Sequence, residues 1–372
     1  MKIAFLCRVQ SWIYMPLLML AYVLAFTNGF RMPSLWSINY FIPSVFEGFY
    51  RRSLLGTLLF PLGDWRFHYY TIASIQIALF FLLNMVILYQ VMRSNMQGRW
   101  LWVLFLLSPA GGYFFHEIGY VDQVLYLLLI WALGMRSTWH ARILLLLSLF
   151  IHELALFTIL PIYLAYSFYE KREEKDLLIT AGLSFLVFSV IYCFLQTSNP
   201  ISIAHFLEGA QQIANYPIRL DYYNVFKKSF IGGILQVPYL SREIINHLLL
   251  IPIWCMAAWS FSISGADIRE RCKLFAAGFM ASAFPILLGI FGWDYSRWIF
   301  LSMASTWICI FIARNQINWR VLVLIGVYSL CLPTVGFLDY FDNYTPRFAP
   351  WYQWQYFYQV DLWKLIGAIP GR

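Results

Sequence analysis

The sequence predicts an all-α fold: a polytopic transmembrane helical bundle of about eleven crossings. Of the 372 residues, 61% are hydrophobic and only 12% are charged, which is far more apolar surface than one soluble core needs. Apolar segments of about 17–25 residues recur along the chain. Lys and Arg recur in the short connections between these segments, as the positive-inside rule requires. We therefore expect one integral membrane domain over residues 1–372.

The expected crossings follow one another closely, apart from a first outer loop at 30–69 and a long outer loop at 197–245. They are predicted at 11–29, 70–92, 100–115, 119–135, 141–152, 153–169, 177–196, 246–263, 274–292, 297–313 and 320–338. The first has no convincing cleavage site, so it is interpreted as a helix and not as a signal peptide. The tail at 339–372 is rich in Trp and Tyr, a composition that suits a membrane interface and equally suits stacking on sugar rings.

The stretch "RILLLLSLFIHELALFTILPIYLAY" at 142–166 is compatible with one crossing or with two short ones that turn at His152 and Glu153. Only the split places the basic residues of every short loop on one side, so we adopt it. The segment 141–152 is short for a crossing and would lie among neighbours or open onto a water-filled cavity. The predicted topology is multi-pass, with a cytoplasmic N-terminus.

Acidic residues gather on the outer side of this topology, which therefore carries the distinctive chemistry. In the first outer loop, Val45 to Phe60 predicts an interfacial helix that carries Glu47, Arg51 and Arg52. One interpretation is an i,i+4 ion pair between Glu47 and Arg51. The other is a carboxylate base beside two guanidinium groups that bind phosphate.

Two His-Glu pairs mark the ends of apolar segments. His116 and Glu117 precede Asp122, which enters an apolar helix and is either a helix cap or a functional group. His152 and Glu153 form the predicted turn, either as a capping pair or with His152 as a proton carrier or phosphate donor. Neither pair is an HExxH motif, so a metal site is the minor interpretation.

Two further groups contain arginines. Asp294 and Arg297 are three residues apart at the outer end of a crossing, and they form either a local salt bridge or a pair in which Arg297 holds a pyrophosphate. The long loop carries Arg219 and Arg242, and such loops commonly bind substrate or form lids. The basic residues are spread among loops and the cysteines are scattered, so we expect no nucleic-acid partner, no metal and no cofactor.

This arrangement resembles the C-type membrane glycosyltransferases, including the polyprenyl-phosphate-sugar transferases, and is similar in plan to O-antigen polymerases and ligases. The resemblance is architectural and covers most of the chain. It implies transfer of a sugar or oligosaccharide from a polyprenyl-(di)phosphate carrier to a glycan or lipid-linked acceptor, in contact with membrane lipid. The resemblance also implies a bacterial inner membrane with the active face outward, and a role in surface polysaccharide assembly. The family's acidic pair in the first outer loop has Glu47 as its counterpart here, with Asp64 further along.

The resemblance implies two sets of site residues, with Glu47 or Asp122 as the base that takes the acceptor proton. The catalytic candidates are Glu47, Asp122, His152, Glu153 and Asp294. The candidates that bind the substrate phosphate are Arg51, Arg52, Arg219 and Arg297. A polymerase and a single-sugar transferase both fit. The alternatives from other classes are a lipid-linked-sugar flippase or other transporter, and a scaffold subunit of an envelope complex.

Overall fold

The computed structural model describes residues 2–30, 32–195, 200–227, 250–290 and 294–331, and no β-strand occurs within these ranges. The described chain is therefore all-helical, as predicted. The aromatic tail at 339–372, the second half of the long loop and Arg242 lie outside the described residues.

Seventeen α-helices are described, some of them joined end to end by short 3-10 segments. Their bounds are α1 Lys2–Gly29, α2 Leu35–Ile38, α3 Leu54–Leu59, α4 Tyr69–Arg93, α5 Met96–Leu107, α6 Pro109–His116, α7 Asp122–Gly134, α8 Thr138–Ile151, α9 Leu154–Phe157, α10 Ile159–Tyr169, α11 Glu174–Ser189, α12 Pro200–Ile213, α13 Leu220–Lys227, α14 Ile251–Ser262, α15 Ile268–Ala283, α16 Tyr295–Ile312 and α17 Trp319–Cys331.

Local sequence explains where several helices begin and end. The Asn95 side chain accepts a hydrogen bond of 2.9 Å from the Gly98 backbone N–H and so caps α5. Asp267 caps α15 in the same way, with 2.7 Å to the Glu270 N–H. At the end of α8, His152 has an extended backbone with φ −165° and ψ 145°, which interrupts the helix.

The chain turns back between α8 and α9, as the split of 142–166 predicts. At the far end of this hairpin, Arg172 Nη2 donates to the backbone oxygen of Met135 at 3.3 Å, so the start of α8 and the end of α10 are neighbours. Helix α11 then returns beside α8, because the Tyr192 hydroxyl donates to the Leu149 carbonyl at 2.7 Å.

The connections between helices collect at two ends of the bundle. We call one the basic end; it comprises the connections around residues 94–95, 135–137, 170–173, 263–267 and 313–318. The opposite loop end comprises the first outer loop, 117–121, the His152–Glu153 turn and the start of α16. Three contacts join connections at the basic end: Asn95 with Asn315 at 3.0 Å, Lys171 with Glu270 at 2.9 Å and Lys273 with Glu174 at 3.2 Å.

The helices pack through buried apolar and aromatic faces, with extensive contact between α14 and α15, α1 and α6, and α7 and α8. The approach of α1 to α6 requires glycine. A Cβ built on Gly29 would lie 1.7 Å from the carbonyl oxygen of Gly112, closer than any side chain tolerates. Residue 29 therefore fixes how closely these two helices approach each other.

Three segments of the described chain are long and apolar enough to cross a membrane: Tyr69–Arg93, Glu174–Tyr192 and Ile268–Gly289. They are consistent with a membrane protein. The other apolar helices with 10 to 17 residues are shorter than a full crossing. The count of about eleven crossings therefore stays a prediction.

The predicted continuous interfacial helix over 45–60 is wrong. A 3-10 turn at Val45–Glu47 ends at Gly48, whose φ of 85° lies in the left-handed region, and α3 begins only at Leu54. Arg52 also has a positive φ, 55°. A helix cannot continue through such residues, so Glu47 and Arg51 do not share a helical face.

Candidate functional site

The first outer loop and the described part of the long loop pack on each other over the helices at the loop end. The Tyr69 backbone N–H donates to Asn215 Oδ1 at 2.9 Å, which ties the start of α4 to the connection between α12 and α13. The rings of Trp36 and Tyr222 are in edge contact, with centroids 5.4 Å apart. Tyr222 is fully buried beneath these contacts.

Glu47 pairs with Arg66 and not with Arg51. Arg66 Nη1 donates to Glu47 Oε2 at 2.8 Å, and its Nη2 donates to Oε1. The guanidinium also lies over the rings of Phe60 and Phe67. No hydrogen bond or ion pair among the described residues joins Glu47 to the other candidate residues, so its pair with Arg66 holds two parts of the first outer loop together.

Arg51 and Arg52 both bind Glu153, which lies about 100 residues further along the chain. Arg51 Nη2 donates to Glu153 Oε1 at 3.1 Å. Arg52 donates to both carboxylate oxygens, from Nε to Oε2 at 2.9 Å and from Nη2 to Oε1. We call Arg51, Arg52, His152 and Glu153 the Glu153 cluster. A left-handed arginine costs about 1–2 kcal/mol, and this bidentate pair helps to hold Arg52 in that conformation.

Neighbouring charges decide the ionisation of Glu153 and His152. Burial raises the pKa of Glu153, but the Arg52 and Arg51 guanidinium groups outweigh it and hold the pKa well below its usual range. Burial and Arg52 together hold the pKa of His152 well below its usual range, against the effect of Glu153. At neutral pH the cluster therefore holds two cations, one carboxylate and a neutral imidazole.

The His152 ring has one nitrogen in use. The Leu154 backbone N–H lies 3.2 Å from Nδ1, and Glu153 Oε2 lies 3.3 Å from the same nitrogen. His152 is only 3% exposed, and its Nε2 has no hydrogen-bond partner among the described residues. The ring therefore presents a buried nitrogen that is available to a ligand.

A second cluster surrounds Arg297 at the start of α16. Arg297 donates to Asp122 through Nε at 3.0 Å and Nη2 at 2.8 Å, and both side chains are 3% exposed. Glu117 Oε2 lies 3.8 Å from Arg297 Nε, and Asp294 Oδ2 lies 3.9 Å from Nη1. The guanidinium also lies 4.5 Å from the ring centroid of Tyr120. We call Arg297, Asp122, Glu117 and Asp294 the Arg297 cluster.

Tyr40 joins the two clusters. Arg297 Nη1 donates to the Tyr40 hydroxyl at 3.3 Å, and the Tyr40 ring lies 5.5 Å from the His152 ring. Tyr40 also contacts the ring of Tyr222 at 5.1 Å. Burial raises the pKa of Tyr222, so its hydroxyl keeps its proton at neutral pH. The clusters are thus neighbours across one buried tyrosine, although they come from separate helix pairs.

The structure brings most of the candidate residues together and leaves two outside. Arg51, Arg52, Asp122, His152, Glu153 and Arg297 are all buried or nearly so around Tyr40, with Asp294 at the edge. Glu47 is held by Arg66. Arg219 binds Asp221 at 2.6 Å, and about half of each side chain is exposed.

Sequence reasoning missed Arg66 as the partner of Glu47 and missed Tyr40 as the link between the clusters. Arg66 carried a weak signal, since it is a charged residue inside the first outer loop. Tyr40 carried none, because the chain contains 25 tyrosines and no motif distinguishes this one.

Among the described residues, no group of three or more His, Cys, Asp and Glu side chains is placed to hold a metal ion. In the Arg297 cluster the guanidinium occupies the space between the carboxylates. The two clusters offer guanidinium groups for an anion, a neutral imidazole with one unpartnered nitrogen, and several carboxylates.

Comparison of the chain with family models, with curated proteins and with solved structures gives no match.

Proposed function

We propose that this protein transfers a sugar or oligosaccharide from a polyprenyl-(di)phosphate carrier, as one step in the assembly of a surface polysaccharide. The observation that carries the proposal is the convergence of the Glu153 and Arg297 clusters on Tyr40, beneath two packed loops at one end of the bundle. Buried guanidinium groups beside carboxylates are what a reaction needs when a phosphate leaves and a hydroxyl loses its proton.

The proposed setting is a bacterial inner membrane. The three long apolar helices and the shorter ones together form the polytopic bundle of about eleven crossings, and the shorter helices are shielded from lipid by their neighbours. The basic end faces the cytoplasm, as the positive-inside rule favours. The loop end then faces outward, where a lipid carrier reaches the clusters from the membrane.

In the proposed mechanism, the carrier phosphate binds at Arg51 and Arg52. With Glu153 as their shared partner, these two arginines leave one net positive charge in the Glu153 cluster. An incoming phosphate competes with Glu153 for the same guanidinium donors, because carboxylate and phosphate oxygens match the guanidinium fork equally well. In the tautomer that carries its proton on Nε2, His152 supplies a further donor to the phosphate.

The bond changes balance without an added reagent. The acceptor hydroxyl oxygen attacks the anomeric carbon, and the bond from that carbon to the phosphate oxygen breaks. The leaving polyprenyl phosphate takes the electron pair and is stabilised by the arginines. The hydroxyl proton passes to Glu153, which the bound phosphate releases from Arg51 and Arg52, or to Asp122 of the neighbouring cluster.

The test is the surface-glycan profile of cells that carry single substitutions. We expect Arg51→Gln and Asp122→Asn to lower glycan transfer at least about tenfold at equal protein level, since each removes one charge that acts in the transition state. Lys273→Gln and Glu174→Gln are the matched controls, because this exposed pair lies at the basic end. Both controls should give normal profiles.

The profile also separates the two kinds of transfer. Loss of the long-chain ladder with single units still attached indicates a polymerase, whereas loss of one branch sugar indicates a single-sugar transferase. A normal profile in both Arg51→Gln and Asp122→Asn cells would overturn the proposal.

A transporter of lipid-linked sugars is the second candidate function. It is favoured by the Asp122–Arg297 pair, since buried ion pairs between apolar helices also mark transport paths. For a transporter, the unmodified lipid-linked sugar accumulates on the cytoplasmic side of vesicles made from Asp122→Asn cells. For a transferase, it accumulates on the outer side.

A further inference from the structure

A cavity of about 400 Å³ lies among α4, α5, α7, α10 and α16, on the side of the Arg297 cluster that faces the basic end. Its volume is within the range of ligand sites, roughly 300–1,000 Å³. The lining side chains of α16 that face it recur along one face of that helix, at Phe300, Ala304, Trp307, Ile308 and Phe311. These span about 16 Å at 1.5 Å per residue, so the cavity is long and follows the helix axis.

The cavity is closed toward the loop end and open toward the basic end. Phe114, Tyr126 and Phe300 line the closed end and are almost fully buried, with Phe300 one helical turn below Arg297. The exposed lining residues are Gln90, Gly134, Glu170 and Asn315, all at the basic end. A ligand therefore enters from the basic end, at the boundary between apolar helices and their polar connections.

Arg314 lines this opening and is half-buried. Its guanidinium lies over the Phe311 ring at 4.6 Å, and Nη1 donates to the Phe311 carbonyl at 2.9 Å. Its Nε is buried and has no hydrogen-bond partner among the described residues, and no carboxylate described here pairs with it. Unlike the half-buried Arg314, the buried arginines of the described chain each bind a carboxylate; these are Arg51, Arg52, Arg66, Arg142 and Arg297. The half-buried Arg99 also has an unpartnered Nε, but it does not line the cavity. Burial lowers the pKa of Arg314, as expected for a cation without a counter-ion.

A second polar group lies inside the cavity. Trp307 is 5% exposed and lines the cavity, and its indole N–H has no hydrogen-bond partner among the described residues. A buried N–H without an acceptor costs about 1–3 kcal/mol. A bound molecule with an ester or hydroxyl oxygen would remove that cost.

We propose that this cavity binds one acyl chain of an anionic phospholipid, with the lipid phosphate at Arg314 and an ester oxygen within reach of Trp307. The apolar wall suits a hydrocarbon chain, and an uncompensated guanidinium at a membrane-level opening suits a lipid phosphate. Glu170 on the rim is exposed, so water screens its repulsion of the phosphate. This site is distinct from the proposed glycosyl-transfer site and does not depend on that function.

The test uses the full-length protein, purified in detergent and titrated with either phosphatidylglycerol or phosphatidylcholine of identical acyl chains, with bound lipid counted by native mass spectrometry. We expect the anionic lipid to bind about fivefold more tightly, the effect of one basic residue near a membrane surface. Arg314→Gln should remove the preference. Arg320→Gln, an exposed arginine at the same end, should keep it.

Ala304→Phe should abolish binding of both lipids, because Ala304 is buried against the cavity. Ala276→Phe is its control, since this alanine on α15 is exposed. Trp307→Phe keeps an aromatic ring but removes the N–H together with part of the indole, so it should weaken the binding of both lipids several-fold. Equal binding of the two lipids by the natural protein, or an unchanged preference in Arg314→Gln, would overturn the proposal even where Ala304→Phe fails to fold.

Discussion

The Glu153 cluster and the Arg297 cluster both combine arginines with carboxylates, but arginines outnumber carboxylates in the first and carboxylates outnumber arginines in the second. In the first, two arginines share one carboxylate, so the formal charge is one positive. In the second, one arginine faces three carboxylates, so with all of them ionised the formal charge is two negative. The first cluster therefore suits an anion, and the second suits a hydroxyl that gives up a proton or a cationic centre.

The arginines of the two clusters also differ in the kind of backbone that carries them. The two arginines of the Glu153 cluster are consecutive in a loop, and Arg52 has a left-handed backbone. Arg297 lies in the first turn of a long helix, and its main partner Asp122 is in the first turn of another. A ligand can displace a loop arginine at less cost than one fixed in a helix, so we place phosphate exchange at the Glu153 cluster.

Arg297→Met gives the largest expected effect, because it leaves the buried Asp122 and Glu117 carboxylates without their cation. We expect a loss of about 3–5 kcal/mol in the free energy of unfolding, measured in mixed detergent–SDS micelles. The double substitution Arg297→Met with Asp122→Leu should recover a large part, since an apolar pair replaces the ion pair. If Arg297→Met has the same free energy of unfolding as the natural protein, the ion pair contributes nothing to stability.

Removing the single carboxylate of the other cluster comes next. Glu153→Gln leaves Arg51 and Arg52 facing each other with no anion, so we expect a loss of about 3 kcal/mol by the same unfolding measurement. Arg51→Met should cost only about 1 kcal/mol, because Arg52 still pairs with Glu153. If the two substitutions cost the same, the idea of an excess cation in this cluster is wrong.

The pH dependence of stability isolates His152. Its pKa in the folded protein is lowered, so the unfolded state binds the proton more readily below the ordinary value of 6.5. Stability should therefore fall as the pH drops from 6.5, by at most about 1.4 kcal/mol per pH unit. His152→Gln should flatten the curve between pH 6.5 and 5, above the range where Glu153 contributes. An unchanged slope in that variant would assign the effect to another group.

The smallest expected effect is at Arg219, which lies outside both clusters. Its pair with Asp221 is about half exposed, and exposed pairs contribute about 0.2–1 kcal/mol. The free energy of unfolding of Arg219→Gln should therefore lie within about 1 kcal/mol of that of the natural protein in the same micelles. A loss as large as that of Glu153→Gln would mean that Arg219 belongs with the buried arginines.

Much of the fold could be predicted from the sequence because its signals are local. Apolar composition and segment length indicate helices that suit a membrane. The His-Glu pair at 152–153 interrupts its apolar run, and the chain does turn back there. The positions of basic residues predict which connections share an end, since hydration keeps charged loops out of the apolar layer.

The partners of the charged residues could not be predicted in this way. Sequence spacing allowed an ion pair between Glu47 and Arg51, but the left-handed residue Gly48 lies between them and ends the helical turn. Glu47 binds Arg66, and Arg51 binds Glu153. An ion pair of this kind depends on which helix ends meet in space, and spacing along the chain carries no information about that.

The sequence by itself determined the helical class, the hydrophobic thickness of its longest segments and the chemical types gathered at one end. Only the tertiary structure decided that Tyr40 joins two oppositely charged clusters, and that Arg314 lies at the opening of an apolar cavity without a carboxylate partner among the described residues. The physical reason is that composition and periodicity follow from the short-range solvation of each residue. Charge pairing and cavities follow from the packing of segments that are far apart in the chain.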